Sequence, residues 1–410
     1  MNLPLKGNVN GIINLSLRAV TILLKFILSI VLIKGLGVDQ YGVFGLFQSS
    51  IIILTFVIGF DFYTFSAREI LNNRPVKQNR YLKNQLVFHL IGYLLIIPIA
   101  FALSSFEIVP NKFIKYFILI LVFEHLSQEL YRLLILFGKT IISTIVLFTR
   151  SGVWVAVLFG ISQFTDYKIS IELVLILWSI GALVSVFIGF KYLNFKWVKG
   201  VDFLWIKNGI LISIPFLIGT IFYKLVEFSG RYFLKFYLSN EAVGVFTFFS
   251  SIANILFVFV QTLVIIELYP TLVESKNSGF ETFEKVFKNF KNKIYKTTVL
   301  GLLLSIIGIY PLLVFLDKFE LLENIASYGL LLVSTFFFCL SFIYHYALYS
   351  FNRDIYILKA AGLTLFCNIV LSFVLVPRYG IVGASIAQLG SFVCIYFSKM
   401  YYWKNYLKRI

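Results

Sequence analysis

Asn14, Arg18, Thr21, Lys25 and Ser29 recur at intervals of four, three, four and four inside an otherwise apolar run. That spacing puts all five on one helical face. The run holds two cations and no acid, so the face is expected to line a wet cavity and bind an anion, with pairing to another segment or snorkelling as the structural reading. Lys224, Glu227 and Arg231 follow at three and four residues, which permits internal pairing and leaves net positive charge. With Arg150, these give a candidate set for an anionic substrate: Arg18, Lys25, Lys224, Arg231, Arg150 and Asn14. A second set, Asp61, Glu124 and Glu129, suits ion or proton coupling; its structural reading is a buried ion-pair cluster that holds helices in register. Glu129 can reach Arg132 along one helix.

Other side chains suggest packing. His125 and His345 are expected to be packed, hydrogen-bonded residues, and Gln48, Asn254, Gln261, Asn368 and Gln388 to join helices. Cys339, Cys367 and Cys394 fall in three different apolar runs, and their spacing suits neither a metal knuckle nor a disulfide, so packed thiols are expected. Gly138-Lys-Thr140 lacks the glycine-rich cradle of a nucleotide loop. No catalytic constellation, metal set or cofactor site is read.

These residues must be positioned by a membrane protein. The 410 residues are 60% hydrophobic and only 13% charged, with a mean hydropathy of +0.91, more apolar surface than one soluble core can bury. Windows of about 20 residues find about twelve segments. They lie at 11–33, 42–60, 85–103, 113–137, 141–161, 171–190, 209–232, 243–268, 294–316, 328–349, 360–376 and 381–402. The first is read as a retained span, since no small-residue cleavage site follows it.

A net charge of +17 could suggest nucleic acid, but the basic residues sit in alternate loops. Arg68, Arg74, Lys77, Arg80 and Lys83 follow the second segment; Lys191, Lys196, Lys199 and Lys207 the sixth; Lys276, Lys285, Lys288, Lys291 and Lys293 the eighth; Lys404, Lys408 and Arg409 end the chain. The positive-inside rule then puts both termini in the cytoplasm. Phe280, Phe283, Phe287, Phe290 and Ile294 oppose Lys285, Lys288 and Lys291, a pattern expected to form an interfacial helix or a connector shielded by its own stripe. Pro98, Pro215 and Pro311 are expected to kink their spans.

Gly42-Val-Phe-x-x-Phe47-x-Ser49 recurs as Gly244-Val-Phe-x-x-Phe249-x-Ser251, half a chain later. The repeat opens the second segment of each set of six. It implies two six-helix lobes, 1–200 and 201–410, in parallel orientation with a substrate site between them.

Three stretches carry a family resemblance: Lys34-Gly-Leu-Gly-Val-Asp-Gln-Tyr-Gly-Val-Phe-Gly-Leu-Phe47, Ser229-Gly-Arg-Tyr-Phe-Leu-Lys-Phe-Tyr-Leu-Ser-Asn-Glu-Ala-Val-Gly-Val-Phe246, and the Pro377-Arg-Tyr-Gly-Ile-Val-Gly-Ala384 hairpin. Together they resemble bacterial polysaccharide biosynthesis export proteins, of the O-antigen flippase (Wzx) type in the multidrug/oligosaccharidyl-lipid/polysaccharide exporter superfamily. Gly230 stands where that family usually has an acid. The resemblance implies an all-α, MATE-like fold of twelve helices in two lobes in the bacterial inner membrane. It also implies movement of an undecaprenyl-pyrophosphate-linked oligosaccharide between leaflets, without enzymatic activity, and partners that include membrane lipids, a polysaccharide polymerase and a chain-length regulator, but no nucleic acid. The alternative is a cation-coupled multidrug exporter of the same superfamily. A lipid II flippase would be expected to have further helices, and a membrane glycosyltransferase or polymerase a large outer loop.

Overall fold

Glycine, more than proline, divides the helices of this chain. A computed structural model describes residues 5–71, 73, 75–193 and 195–408; residues 1–4, Arg74 and Arg409 lie outside the described residues. α1 (Leu5–Gly59) contains a break at Gly37, at φ 76° and ψ 170°. α13 (Asp354–Leu407) contains another at Gly380, at φ 55° and ψ −128°. Both conformations are strained for any residue with a Cβ, and they separate the predicted first from the second segment and the eleventh from the twelfth. Pro98, Pro215 and Pro311, by contrast, lie inside continuous helices: α3 (Pro75–Ser105), α8 (Phe203–Tyr237) and α11 (Phe280–Leu316).

Between these run the short α2 (Tyr63–Leu71), α4 (Ile114–Leu136), α5 (Thr140–Phe148), α6 (Trp154–Phe164), α7 (Ile171–Leu193), α9 (Asn240–Val260), α10 (Ile266–Ser275) and α12 (Ile325–Ser350). Every predicted segment falls on helix, and no strand occurs among the described residues. A π turn, Thr149–Val153, joins α5 to α6, and another, Gln261–Ile265, joins α9 to α10. Such turns widen the helix locally and frequently mark functional sites. Nine helices among the described residues are long and apolar enough to cross a membrane. α4 carries Lys115, Glu124, Glu129 and Arg132 along 23 residues, so it needs internal partners at membrane depth.

The chain forms two compact units. The first comprises Met1–Gly37 and Leu46–Leu217, the second Val38–Gly45 and Ile218–Ile410. In the first, Trp205 stacks on Tyr81 at 4.9 Å and meets Phe62 edge-on at 5.4 Å. The loop before α8 is tied down beside them. Lys83, only 2% exposed, donates to the carbonyls of Val198 and Gly200, and Arg80 pairs with Asp202 at 3.3 Å. Two cations of the positive-inside count therefore serve as internal brackets.

In the second unit Phe338 stacks on Phe392 at 4.5 Å. The expected interfacial helix is instead the start of α11, which runs without a break into the apolar segment. Its stripe packs within the protein: Phe283 lies 4.9 Å from Phe351 and 5.9 Å from Trp403, and Phe287 5.8 Å from Trp403. Those apolar partners near the end of the chain, distant in sequence, take the place that lipid would occupy. Cys367 and Cys394, treated as separate thiols in the sequence, meet across α13 with their sulfurs 3.7 Å apart and remain free. The Gly380 break lies between them and folds the two halves of α13 together.

Candidate functional site

In the first unit the polar centre is built on α4, where residues 125 and 129 lie one turn apart. Glu124 faces α7 and the π turn: its Oε1 accepts from Trp178 Nε1 at 2.5 Å, and its Oε2 lies 3.5 Å from Arg150 Nε. Arg150 Nη1 also approaches the Glu124 carbonyl at 3.5 Å. The π turn that carries Arg150 thus aims its guanidinium at α4.

Glu129 is 5% exposed and is held from three sides. Arg132 Nη1 donates to Oε1 at 2.9 Å, Gln85 Nε2 donates to Oε2 at 2.8 Å, and His89 Nε2 lies 3.7 Å from Oε2. Tyr93 joins its hydroxyl to His125 Nδ1 at 2.7 Å. Asp61 does not extend this row, because it lies in the turn after α1, at φ 47°, where its carbonyl accepts from the Thr64 hydroxyl at 2.8 Å. Arg132 also lies over the Tyr63 ring at 5.6 Å; burial pushes the Tyr63 hydroxyl above its ordinary pKa and the Arg132 charge opposes this.

The α1 stripe enters several environments. Asn14 donates to Thr140 Oγ1 at 3.4 Å, and Thr21, 4% exposed, donates to the Leu17 carbonyl at 2.7 Å. Lys25 is exposed and Arg18 half-buried. Arg18 has no ion pair, and its buried Nε has no hydrogen-bond partner, among the described residues. Thr21 is therefore absorbed by the packed side of the helix, and the two cations flank it.

In the second unit, Lys224 pairs with Glu227 at 2.8 Å. Arg231, 6% exposed, donates from Nη1 to the Gly45 carbonyl at 3.1 Å and lies 5.0 Å over the Phe228 ring. Gly230 has no room to be the family's acid. A Cβ there would approach the Phe246 ring to 2.7 Å, so the second copy of the repeat fills that space.

Sequence reading missed Lys399, Gln85 and His89. Lys399 is fully buried, 3.4 Å from Ser341 Oγ and over the rings of Tyr223 at 5.2 Å and Phe342 at 5.4 Å. It was masked by the apolar residues around it, and only the facing helix shows it away from lipid. Gln85 and His89 are one turn apart, as are His125 and Glu129, and that matching pattern was the available signal. His345 is a packed neighbour of the Phe342 ring at 5.6 Å.

Comparison with known proteins extends this picture. The sequence profile of the family described as polysaccharide biosynthesis protein matches residues 9–276. No curated protein matches the sequence. Among solved structures, the chain is similar to the lipid II flippase MurJ in an inward closed conformation, with a TM-score of 0.75, 13% identity, and coverage of 96% of this chain and 87% of that one. It is similar to a multidrug resistance MATE family transporter of the MOP superfamily in an inward-facing conformation, with a TM-score of 0.72, 13% identity, and coverage of 97% and 98%. A Vibrio cholerae MATE transporter, VcmN, aligns with a TM-score of 0.56 at 14% identity over 98% and 94% of the two chains. At such identities the likeness shows the fold, an all-α, MATE-like membrane fold.

Proposed function

Because this chain belongs to the polysaccharide biosynthesis protein family, we propose that it is a flippase for an undecaprenyl-pyrophosphate-linked oligosaccharide, an O-antigen or similar surface repeat unit. Family and structural neighbours are of the flippase and transporter type. Such a protein moves its lipid-linked substrate from the cytoplasmic to the periplasmic leaflet by alternating access, with no chemical step. The proposed setting is the bacterial inner membrane, with twelve spans in two six-helix lobes, 1–200 and 201–410. Both termini are placed in the cytoplasm, and a polymerase and a chain-length regulator act on the product.

The observation that carries the reading is Arg18, whose buried Nε has no hydrogen-bond partner among the described residues, on a membrane helix segment that also holds Lys25 and no acid. A cation at membrane depth is costly without an anion or water; a pyrophosphate supplies the anion, and its polyprenyl tail can remain in the bilayer. Lys224, Arg231 and Arg150 lend further positive field. The multidrug alternative is less well supported, since Glu124, Glu129 and Glu227 are each close to a basic side chain, at 3.5, 2.9 and 2.8 Å. That leaves less carboxylate charge to hold a cationic drug.

The test is deletion of the gene, followed by mass spectrometry of extracted lipid-linked oligosaccharides and assay of surface glycan. Accumulation of one polyprenyl-pyrophosphate repeat unit with loss of surface glycan is the expected result. Unchanged lipid intermediates together with new sensitivity to cationic dyes would replace this reading with the drug exporter.

A further inference from the structure

Gln85 and His89 on α3 face His125 and Glu129 on α4, each pair one helical turn apart. We propose that these four side chains form a buried binding site for a divalent transition metal of the zinc class, independent of the identity of the transported substrate. A ligand atom from each of His89, His125 and Glu129 lies within 4.8 Å of the other two. The two imidazoles meet edge to face with centroids 4.6 Å apart. Inward side chains at such spacing on facing helices are the usual way a bundle builds a metal site.

Several independent observations point to a ligand. His89 and His125 are 2% and 1% exposed; His89 Nδ1 and His125 Nε2 have no hydrogen-bond partner among the described residues, and His89 Nε2 meets only the Glu129 carboxylate, at 3.7 Å. Buried polar atoms normally find one. Tyr93 occupies His125 Nδ1 at 2.7 Å, the contact that orients a metal-bound imidazole through its other nitrogen. Beside His125 Nε2 the α1 backbone is Gly59; a Cβ there would stand 3.2 Å from that nitrogen, so the glycine leaves the space open. A cavity of about 40 Å³ beside the cluster is lined by Gln85, His89 and Glu129 together with eight apolar side chains, and not by His125.

The donor set selects the metal. Two imidazoles and one carboxylate suit zinc and its neighbours, whereas sodium, calcium and magnesium prefer oxygen. Arg132 holds Glu129 Oε1 at 2.9 Å and leaves Oε2 for the ion. Gln85 Nε2 now donates to Oε2 at 2.8 Å; rotation of that amide would release Oε2 and present Gln85 Oε1, which has no partner among the described residues, as a fourth ligand. Tetrahedral bonds of about 2.1 Å place ligand atoms about 3.4 Å apart, so the site contracts on binding. The bound ion would clamp α3 to α4.

The full chain, purified in detergent, stripped with a chelator and dialysed, is titrated with Co²⁺ and then with Zn²⁺ against a chromophoric chelator. Wild type is expected to bind one Co²⁺ with the ligand-field absorption of a tetrahedral nitrogen and oxygen site, displaced by one Zn²⁺. His89→Gln, His125→Gln and Glu129→Gln are expected to lose that spectrum, and Tyr93→Phe, which spares every ligand, to weaken binding by about 10–100-fold. His345→Gln keeps both spectrum and affinity. Gel filtration and melting of the metal-free variants separate loss of the site from loss of the fold. No tetrahedral Co²⁺ spectrum in wild type, or one that survives in Tyr93→Phe and both folded histidine variants with affinity unchanged, overturns the site.

Discussion

Gly42 lies against the backbone nitrogen of Gly244, the matching glycine of the internal repeat. A Cβ on Gly42 would overlap the Asn240 carbonyl and stand 2.9 Å from Gly244 N, and a Cβ on Gly244 would overlap the Val38 carbonyl. Three residues on, a Cβ at Gly45 would come within 2.6 Å of Thr247 Oγ1. The repeat is thus also a contact, in which two helix starts approach so closely that only hydrogen fits. The same approach brings the Gly45 carbonyl to Arg231.

Alanine at Gly42 or Gly244 is therefore expected to force backbones apart and destabilise the protein by about 1–3 kcal/mol or more, the usual range for overpacking. Gly308→Ala is the control, since its Cβ would meet nothing within 4 Å. Melting temperatures of the purified proteins check this; equal melting of all three variants would contradict the contact.

Arg18→Ala combined with Lys25→Ala is expected to reduce glycan export at least about tenfold, since a hydrogen bond to a charged group contributes about 1.5–3 kcal/mol. Neither cation is in the packed core, so the protein should still accumulate and melt normally. Export at the wild-type level would remove the role given to this pair.

Glu129→Gln is expected to destabilise the first unit by about 3–5 kcal/mol, because it leaves the Arg132 charge without its carboxylate. Combining it with Arg132→Met should recover much of that loss. A double variant as unstable as the single one would show that Arg132 is not the partner that matters. Urea or thermal denaturation in detergent gives the comparison.

Lys399→Met is expected to leave stability unchanged or raise it. No carboxylate lies within ion-pair distance of Lys399 among the described residues, and Ser341 Oγ is its hydrogen-bond contact at 3.4 Å. Burial of such a cation is costly, and two aromatic faces compensate only in part. A melting temperature lowered by several degrees would show that the ammonium is a structural link.

How far the sequence could be read depended on the range of the interaction. The apolar helical segments, the hairpin at Gly380, and the pairs Glu129–Arg132 and Lys224–Glu227 were legible, because hydropathy, proline or glycine and a three-residue helical spacing are local. The family, too, was carried by short contiguous stretches. The α11 stripe left two readings open because a row of phenylalanines suits lipid and protein equally; Phe351 and Trp403, far along the chain, cover Phe283 and Phe287.

By itself, then, the sequence determined an all-α membrane chain with a cationic α1 face and an internal repeat, since apolar runs and helical periodicity are properties of adjacent residues. Only the tertiary structure decided which charges meet between helices. Arg150 reaches Glu124 because a π turn aims it at α4, His89 joins His125 and Glu129 because α3 lies beside α4, and Lys399 is buried because rings from other helices enclose it. Each depends on which helix faces which, a choice set by close packing between distant segments that no local pattern of residue types encodes.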